Sequence, residues 1–256
     1  MNTAVGRSGP HAEGRRLACS LVVALLFSGL PVHAQTTQAP PDPPPLAKAF
    51  KQVVHDFAQF PSRATLTVLG IGGAGAFAVA AADRNADRQL AGSDYRFLTP
   101  GRIVGNAGVQ VGIAAATYGI GRAFSNGGTA QRIGAELVRA QILTQSLTLG
   151  IKLAARRERP DGGHFSFPSG HASTTFATAT VLARHLDWRV SVPTLLVATY
   201  VASSRVHQHQ HYLSDVVFGA ALGVAAGRSI TSPHSAVTWT PVITPTRVAV
   251  MFAYEN

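Results

Sequence analysis

The sequence predicts an all-α protein, a compact six-helix bundle followed by a short C-terminal β-hairpin. Apolar stretches of helical length recur at about residues 64–82, 103–121, 133–151, 171–185, 190–203 and 211–227. Turn-forming residues separate them, as at Thr99-Pro100-Gly101 and Asn126-Gly127-Gly128. Strand-like alternation occurs only past residue 235.

In chain order, residues 1–34 read as a signal peptide. Arg7, Arg15 and Arg16 give a basic start, 17–30 is apolar, and Val32-His33-Ala34 ends in a small residue suited to cleavage. The run is short for a membrane span, and an uncleaved anchor is the alternative. The one cysteine, Cys19, lies here, and Arg16 stands where a lipoprotein signal wants a small apolar residue. The mature chain would therefore have no thiol, so neither a disulfide nor a cysteine nucleophile is available to it. Residues 35–45 form a Pro-rich, semi-rigid linker. Residues 46–230 form the helical domain. Its first segment, 46–60, is amphipathic, with Phe50, Val53, Val54 and Phe57 on one face, and Pro61 ends it. The tail, 231–256, holds alternating runs at 236–240 and 247–254 with Pro241 and Pro245 between them. There is no internal repeat.

Net charge is +10, falling to +8 once residues 1–34, with three arginines and Glu13, are removed. That balance favours anionic partners such as phosphorylated substrates or an anionic membrane surface. Nucleic acid is discounted, because the cations are not interleaved with aromatics. Oligomeric state is not readable.

Three fragments carry the chemistry: Lys152 with Arg159-Pro160, then Pro168-Ser169-Gly170-His171, then Ser204-Arg205 with His211 and Asp215. Phosphoryl transfer is largely positioning and charge stabilisation. Lys152, Arg159 and Arg205 suit phosphate oxygens. Ser169-Gly170 opens a helix whose free N–H groups and dipole favour an anion, and Gly170 permits close backbone approach. His211 and Asp215 are four apart, so on a helix the carboxylate would fix one imidazole nitrogen and leave the other for attack on phosphorus. His171 is then the acid for the leaving oxygen. Each signal alone has a plainer reading. Arg156, Arg157 and Arg159 suit a solvated helix end, Ser-Gly-His suits a helix cap, and His207, His209 and His211 suit a loop or a metal site, although no cysteine is near. Together they supply complementary roles without redundancy.

The chain resembles the type 2 phosphatidic acid phosphatase superfamily, which includes lipid phosphate phosphatases, bacterial acid phosphatases and vanadium haloperoxidases. The family pattern Lys-x6-Arg-Pro, Pro-Ser-Gly-His, Ser-Arg-x5-His-x3-Asp is present at all eleven positions, within a resemblance covering about residues 60–230. It implies that Lys152, Arg159, Ser169, Gly170 and Arg205 bind phosphate, that His211 becomes a phosphohistidine supported by Asp215, and that His171 protonates the leaving group. It implies neither metal nor other cofactor. Seven residues separate Pro160 from Pro168, a short connection for the family; His209 and Leu213 stand where many members have Gly and Pro. The expected activity is hydrolysis of a phosphate monoester or pyrophosphate, on a lipid or a small soluble molecule. A vanadium haloperoxidase and a non-enzymatic anion-binding membrane protein are the rivals.

Location is argued from hydropathy and topology. The stretch 64–82 carries no charge, yet mean hydropathy is only +0.16 and several stretches are shorter than a span. Were all six helices to span, a cleaved N-terminus outside would put the site on the cytoplasmic side, whereas bacterial relatives of the lipid-phosphatase kind usually face outward. The expectation is thus an exported periplasmic domain, soluble or peripherally attached, with an integral inner-membrane protein as the alternative.

Overall fold

The computed structural model describes residues 46–91, 96–124, 128–231, 237–244 and 247–254. The expected signal (1–34) and linker (35–45) lie outside them, as do Asn126, Gly127, Ala236 and Pro245. Within them the helices are α1 Leu46–Gln59, α2 Arg63–Ala80, α3 Asp83–Ala91, α4 Gly101–Val104 (after a 3₁₀ turn at Arg96–Leu98), α5 Ala107–Phe124, α6 Thr129–Ala155, α7 Gly170–His185, α8 Trp188–His207 and α9 Leu213–Thr231. The six expected long helices are α2 and α5 to α9. Sequence reading misses α3 because Asp-Arg-Asn-Ala-Asp-Arg-Gln-Leu-Ala carries no apolar stripe.

Local chemistry sets the helix ends. Pro61 stops α1, and Ser62 starts α2 with a capping box: Thr65 N–H donates to Ser62 Oγ at 3.2 Å, and Ser62 N–H to Thr65 Oγ1 at 2.9 Å. In α1, Phe57 packs on the core as expected, but Val54 is exposed. The expected helix at 103–121 is broken at Gly105-Asn106 into α4 and α5, bent by 57° together with the preceding 3₁₀ turn. A Cβ at Gly105 would lie 2.3 Å from Val201 Cγ1, so the break lets this backbone sit against α8. Asp187 caps α8, accepting from Arg189 N–H at 3.0 Å.

The core lies where α9 meets α7, α6 and α2, around Leu137, Leu143, Val181, Leu222 and Ala226. Gly219, Gly223 and Gly227, four apart, form the α9 face against α7. A Cβ on Gly219 would lie 2.6 Å from Ser169 O, and one on Gly223 would lie 2.2 Å from Ser173 O. This close backbone approach, typical of small-residue helix interfaces, brings the start of α9 beside the start of α7.

The tail is a two-stranded antiparallel hairpin, β1 Val237–Thr244 and β2 Arg247–Tyr254, running from Val237 opposite Tyr254 to Thr244 opposite Arg247. Pro241, expected between the strands, lies inside β1; a two-stranded ribbon has only edge strands, where proline is tolerated.

The outer surface is apolar. Leu66, Ile71 and Phe77 of α2, Ile113, Ile120 and Phe124 of α5, and Leu196 and Val197 of α8 are exposed, Phe77 and Phe124 at 85% each. Among the described residues α2 and α9 are long and apolar enough to cross a membrane, and the bent segment ending in α5 makes a third if counted as one span. Helices α7 and α9 are buried along much of their length inside the bundle, whereas α2 buries only Thr65, Gly72 and Ala76.

Candidate active site

Lys152 stands in the last turn of α6, which ends where Arg156 turns left-handed at φ 47°. Lys152 Nζ donates to Phe165 O at 2.5 Å. The following loop is pinned by Arg159 N–H to Gly163 O at 2.7 Å and by Asp161 N–H to His209 O at 3.1 Å, which ties it to the α8–α9 connection. Arg159 Nη1 donates to Gln210 Oε1 at 2.8 Å, and Arg205 Nη1 to Gln208 Oε1 at 2.8 Å.

Ser169 caps α7 and is fully buried; its N–H donates to Asp215 O at 2.9 Å, locking the two helix starts together. Gly170 opens the helix beside Lys152, whose Cε lies 4.0 Å from where a Cβ would stand. His171 Nε2 lies 3.2 Å from Arg102 O, a contact made by the tautomer carrying the proton on Nε2. His211 is buried in the α8–α9 connection. Its Nδ1 is 3.8 Å from Asp215 Oδ2, beyond hydrogen-bond range, so the expected His211–Asp215 bond is not made in this state.

Asp215 is instead held by three other donors. Tyr212 N–H reaches Oδ2 at 2.9 Å, the helix-start half of a capping box. Ser166 Oγ donates to the same oxygen, and Arg157 Nη1 to Oδ1 at 2.6 Å. Arg157 also reaches Asp83 Oδ2 at 2.8 Å and Ser214 Oγ at 2.8 Å, and lies over the Tyr212 ring at 4.3 Å. Buried Asp83 accepts from Ser214 N–H at 2.9 Å as well. Arg157, Asp83 and Ser166 are the residues that sequence reasoning passes over. Arg157 reads there as part of a solvated cationic run, and only the fold brings Asp83 to it.

The electrostatics are set by burial and by the crowding of like charges. Burial pushes the His171 imidazole down to about 4, and the Arg205, His211 and Lys152 charges act in the same direction. Burial also pushes His211 to about 4, with Lys152 and Arg159 adding to it and Asp215 opposing. Lys152 falls to about 8 through burial and the Arg159 charge. Arg159 Nε, Arg205 Nε and His211 Nδ1 are buried without a hydrogen-bond partner. A buried donor left unpaired is costly unless an acceptor reaches it.

Residues 134–239, a span that includes every motif position from Lys152 to Asp215, match the family model described as PAP2 superfamily. The motif-bearing part of the chain is thus similar to the PAP2 superfamily. Among its PAP2-related matches, the lipid A 1-phosphatase of Porphyromonas gingivalis is 40% identical over 82 residues, covering 30% of this chain and 18% of that protein. The decaprenylphosphoryl-5-phosphoribose phosphatase of Mycobacterium tuberculosis is 34% identical over 100 residues, covering 35% of this chain and 55% of that protein. The chain thus spans little more than half the length of these relatives at most. The crystal structure of Aquifex aeolicus LpxE aligns at 21% identity with a TM-score of 0.49, over 57% of this chain and 92% of that one.

One departure from the PAP2 pattern has a visible consequence. His209, where many members have Gly, adopts φ 55°, the left-handed region that favours glycine. Its side chain compensates by pairing through Nδ1 with Asp87 of α3 at 2.9 Å. His209 and His211 therefore serve different neighbours. Among the described residues no cluster of three or more His, Cys, Asp or Glu is arranged to hold a metal.

Proposed function

We propose that this chain hydrolyses the phosphate monoester or pyrophosphate of a lipid through a phosphohistidine on His211, without a metal. What carries the reading is that two motif arginines, Arg159 and Arg205, each hold a buried Nε–H without a partner, a donor that a phosphate would satisfy. A phosphate entering there would accept from Lys152, Arg159, Arg205 and the free N–H groups at the start of α7. Lys152 would exchange Phe165 O for a phosphate oxygen. Neutral His211 attacks phosphorus through Nε2, forming the P–N bond as the P–O bond to the leaving alkoxide breaks. His171 gives that alkoxide its proton. Water, deprotonated by His171, then attacks phosphorus, and the P–N bond breaks to release phosphate and neutral His211. As His211 gains positive character, its Nδ1–H must close the 3.8 Å gap to Asp215. Ser169 contributes by capping α7 and holding its N–H groups in place.

The lipid part of the proposal draws on the apolar outer surface of α2, α5 and α8 and on the relatives' lipid substrates. Export directed by residues 1–34 fits this reading. The helical part would be seated in the membrane through α2, α9 and the bent segment ending in α5, the integral form among the two expected locations.

The test is a panel of lipid and soluble phosphates assayed with EDTA present. Lipid phosphates should be cleaved with chelator, and acid quenching with a phosphorus-labelled substrate should be followed by alkaline isolation of a phosphoenzyme absent from His211→Ala. Activity lost to EDTA and restored by a divalent ion would overturn the metal-free step.

A further inference from the structure

A cavity of about 560 Å³ lies beside the motif cluster without containing it. It opens at the end of α2, against Ala80 and Ala81, and is bordered by Arg84 and Arg88 of α3. Arg157 and Tyr212 form its inner wall. Arg157 and the Tyr212 N–H both bond Asp215, so the cavity wall is joined to the motif cluster through that carboxylate. Its volume lies in the range that holds small-molecule groups, roughly 300–1,000 Å³.

The charge it presents is cationic. Asp83 also borders it, but that carboxylate is buried and occupied by Arg157 and Ser214. Arg157 is balanced by Asp83 and Asp215. What remains to a ligand is Arg84 and Arg88 against Glu158, all three exposed, with Asn85 as a neutral polar partner. The Arg88 side chain is oriented by its bonds to Arg84 O at 3.2 Å and Asn85 Oδ1 at 2.9 Å.

The cavity also has an apolar approach. Phe77, 85% exposed, lies one turn before its Ala80–Ala81 wall, and Ile71 and Leu66 continue outward along α2. A lipid with its chains along α2 would bring its headgroup to Arg84 and Arg88 while its terminal phosphate lies near His211.

We propose that this cavity is a second anion subsite, taking an additional phosphate or other acidic group carried by the lipid whose terminal phosphate is cleaved. The inference rests on the phosphatase reading above and narrows its substrate to lipids bearing two anionic groups. Guanidinium pairing with a phosphodiester is charge-assisted, whereas a headgroup with one phosphate leaves both arginines in water.

The full chain in detergent micelles would be assayed on dioctanoyl phosphatidylglycerol phosphate, which has a diester and a terminal monoester, and on dioctanoyl phosphatidate, which has the monoester alone. The wild type should show the lower KM for the two-phosphate lipid. Arg84→Ala with Arg88→Ala should shrink the KM ratio by about tenfold, the loss expected from one charge-assisted contact. An unchanged ratio would overturn the subsite while leaving the phosphatase reading intact. Direct binding is the second arm, using dioctanoyl phosphatidylglycerol, whose diester is not a monoester substrate, and its chainless counterpart glycerophosphoglycerol. Binding of the lipid that disappears in the double variant supports the subsite even if no lipid is hydrolysed, an outcome that would sink the phosphatase reading alone. Binding that survives in the double variant, or that is equal for the chainless compound, overturns a lipid headgroup subsite.

Discussion

Arg157 Nη1 lies 2.6 Å from Asp215 Oδ1, although Asp215 is the carboxylate expected to serve His211. The arginine, not the histidine at 3.8 Å, is the close partner. Arg157 in turn is held by Asp83, so α3 reaches Asp215 through two ion pairs. The arrangement fixes the carboxylate, as the positioning role proposed for Asp215 requires.

Removing that arginine should therefore cost both stability and rate. Arg157→Ala leaves Asp83 and Asp215 buried without their cation, and a loss of about 2 kcal/mol or more is expected, below the 3–5 kcal/mol of a fully buried pair because Arg157 is partly exposed. Turnover should fall by about one to two orders of magnitude, since a displaced catalytic geometry carries that scale of penalty. Arg157→Lys should recover stability better than rate, because a point charge cannot bridge two carboxylates as the planar fork does. Thermal melts in detergent alongside kcat check this; a variant that melts like wild type with full turnover contradicts it.

The two histidines make stability and activity depend on pH in stated directions. His171 and His211 titrate at about 4 in the folded chain, below the ordinary histidine value of about 6.5 in an unfolded one. Between those values the unfolded state binds more protons, so their contribution is full above pH 6.5 and is lost as pH falls toward 4. His211→Gln should flatten that part of a Tm-against-pH curve. The proposed mechanism needs a proton on His171, which, titrating at about 4, is neutral at pH 7. The proton must arrive with the monoanion of the substrate, whose second pKa is about 6. Accordingly kcat/KM should fall as pH rises from 6 to 8, and a flat profile over that interval would remove His171 as the general acid.

The motif positions are legible because three cations, two imidazoles and a carboxylate recur at spacings that supply distinct roles. Lys152, Arg159, His171, Arg205 and His211 stand out in that way, and the fold brings them together. Arg157 is illegible for the opposite reason. It sits between Arg156 and Glu158, both exposed, so it looks like one more solvated charge until Asp83, 74 residues away, is placed against it. The break at Gly105-Asn106 is hidden likewise, since its cause is a neighbour on α8. Helix lengths follow from local composition; pairings between helices do not.

The α7–α9 contact gives a prediction about how fold sets site. Gly223→Ala would drive a Cβ to 2.2 Å from Ser173 O and 2.8 Å from Ala177 N, both backbone, so the helices must separate. Overpacking of this kind costs about 1–3 kcal/mol. It should also lower kcat, because His171 begins one helix and His211 precedes the other. Gly150→Ala, in α6 with nothing within 4 Å, should instead stabilise by about 0.5–1 kcal/mol through helix propensity. Melting curves of the two variants should move in opposite directions. A destabilised Gly223→Ala with unimpaired kcat would show that the close approach serves packing alone.

The outward apolar residues make a last, separable prediction about location. A basic surface protein held by anionic headgroups is released when salt screens the attraction. A chain that presents Phe77, Phe124, Ile120 and Leu66 to its surroundings has a different attachment, since exposing such side chains to water costs roughly 25 cal/mol per Å² of apolar area. High salt and carbonate washing should leave this protein in the membrane pellet, and detergent should release it. Replacing Leu66, Ile71 and Phe77 together by Ser should shift a measurable fraction into the carbonate supernatant without changing the motif residues. Full release of the wild-type chain by carbonate would return the helical domain to the soluble or peripheral form. It would also leave α2 with an exposed apolar face in need of another partner.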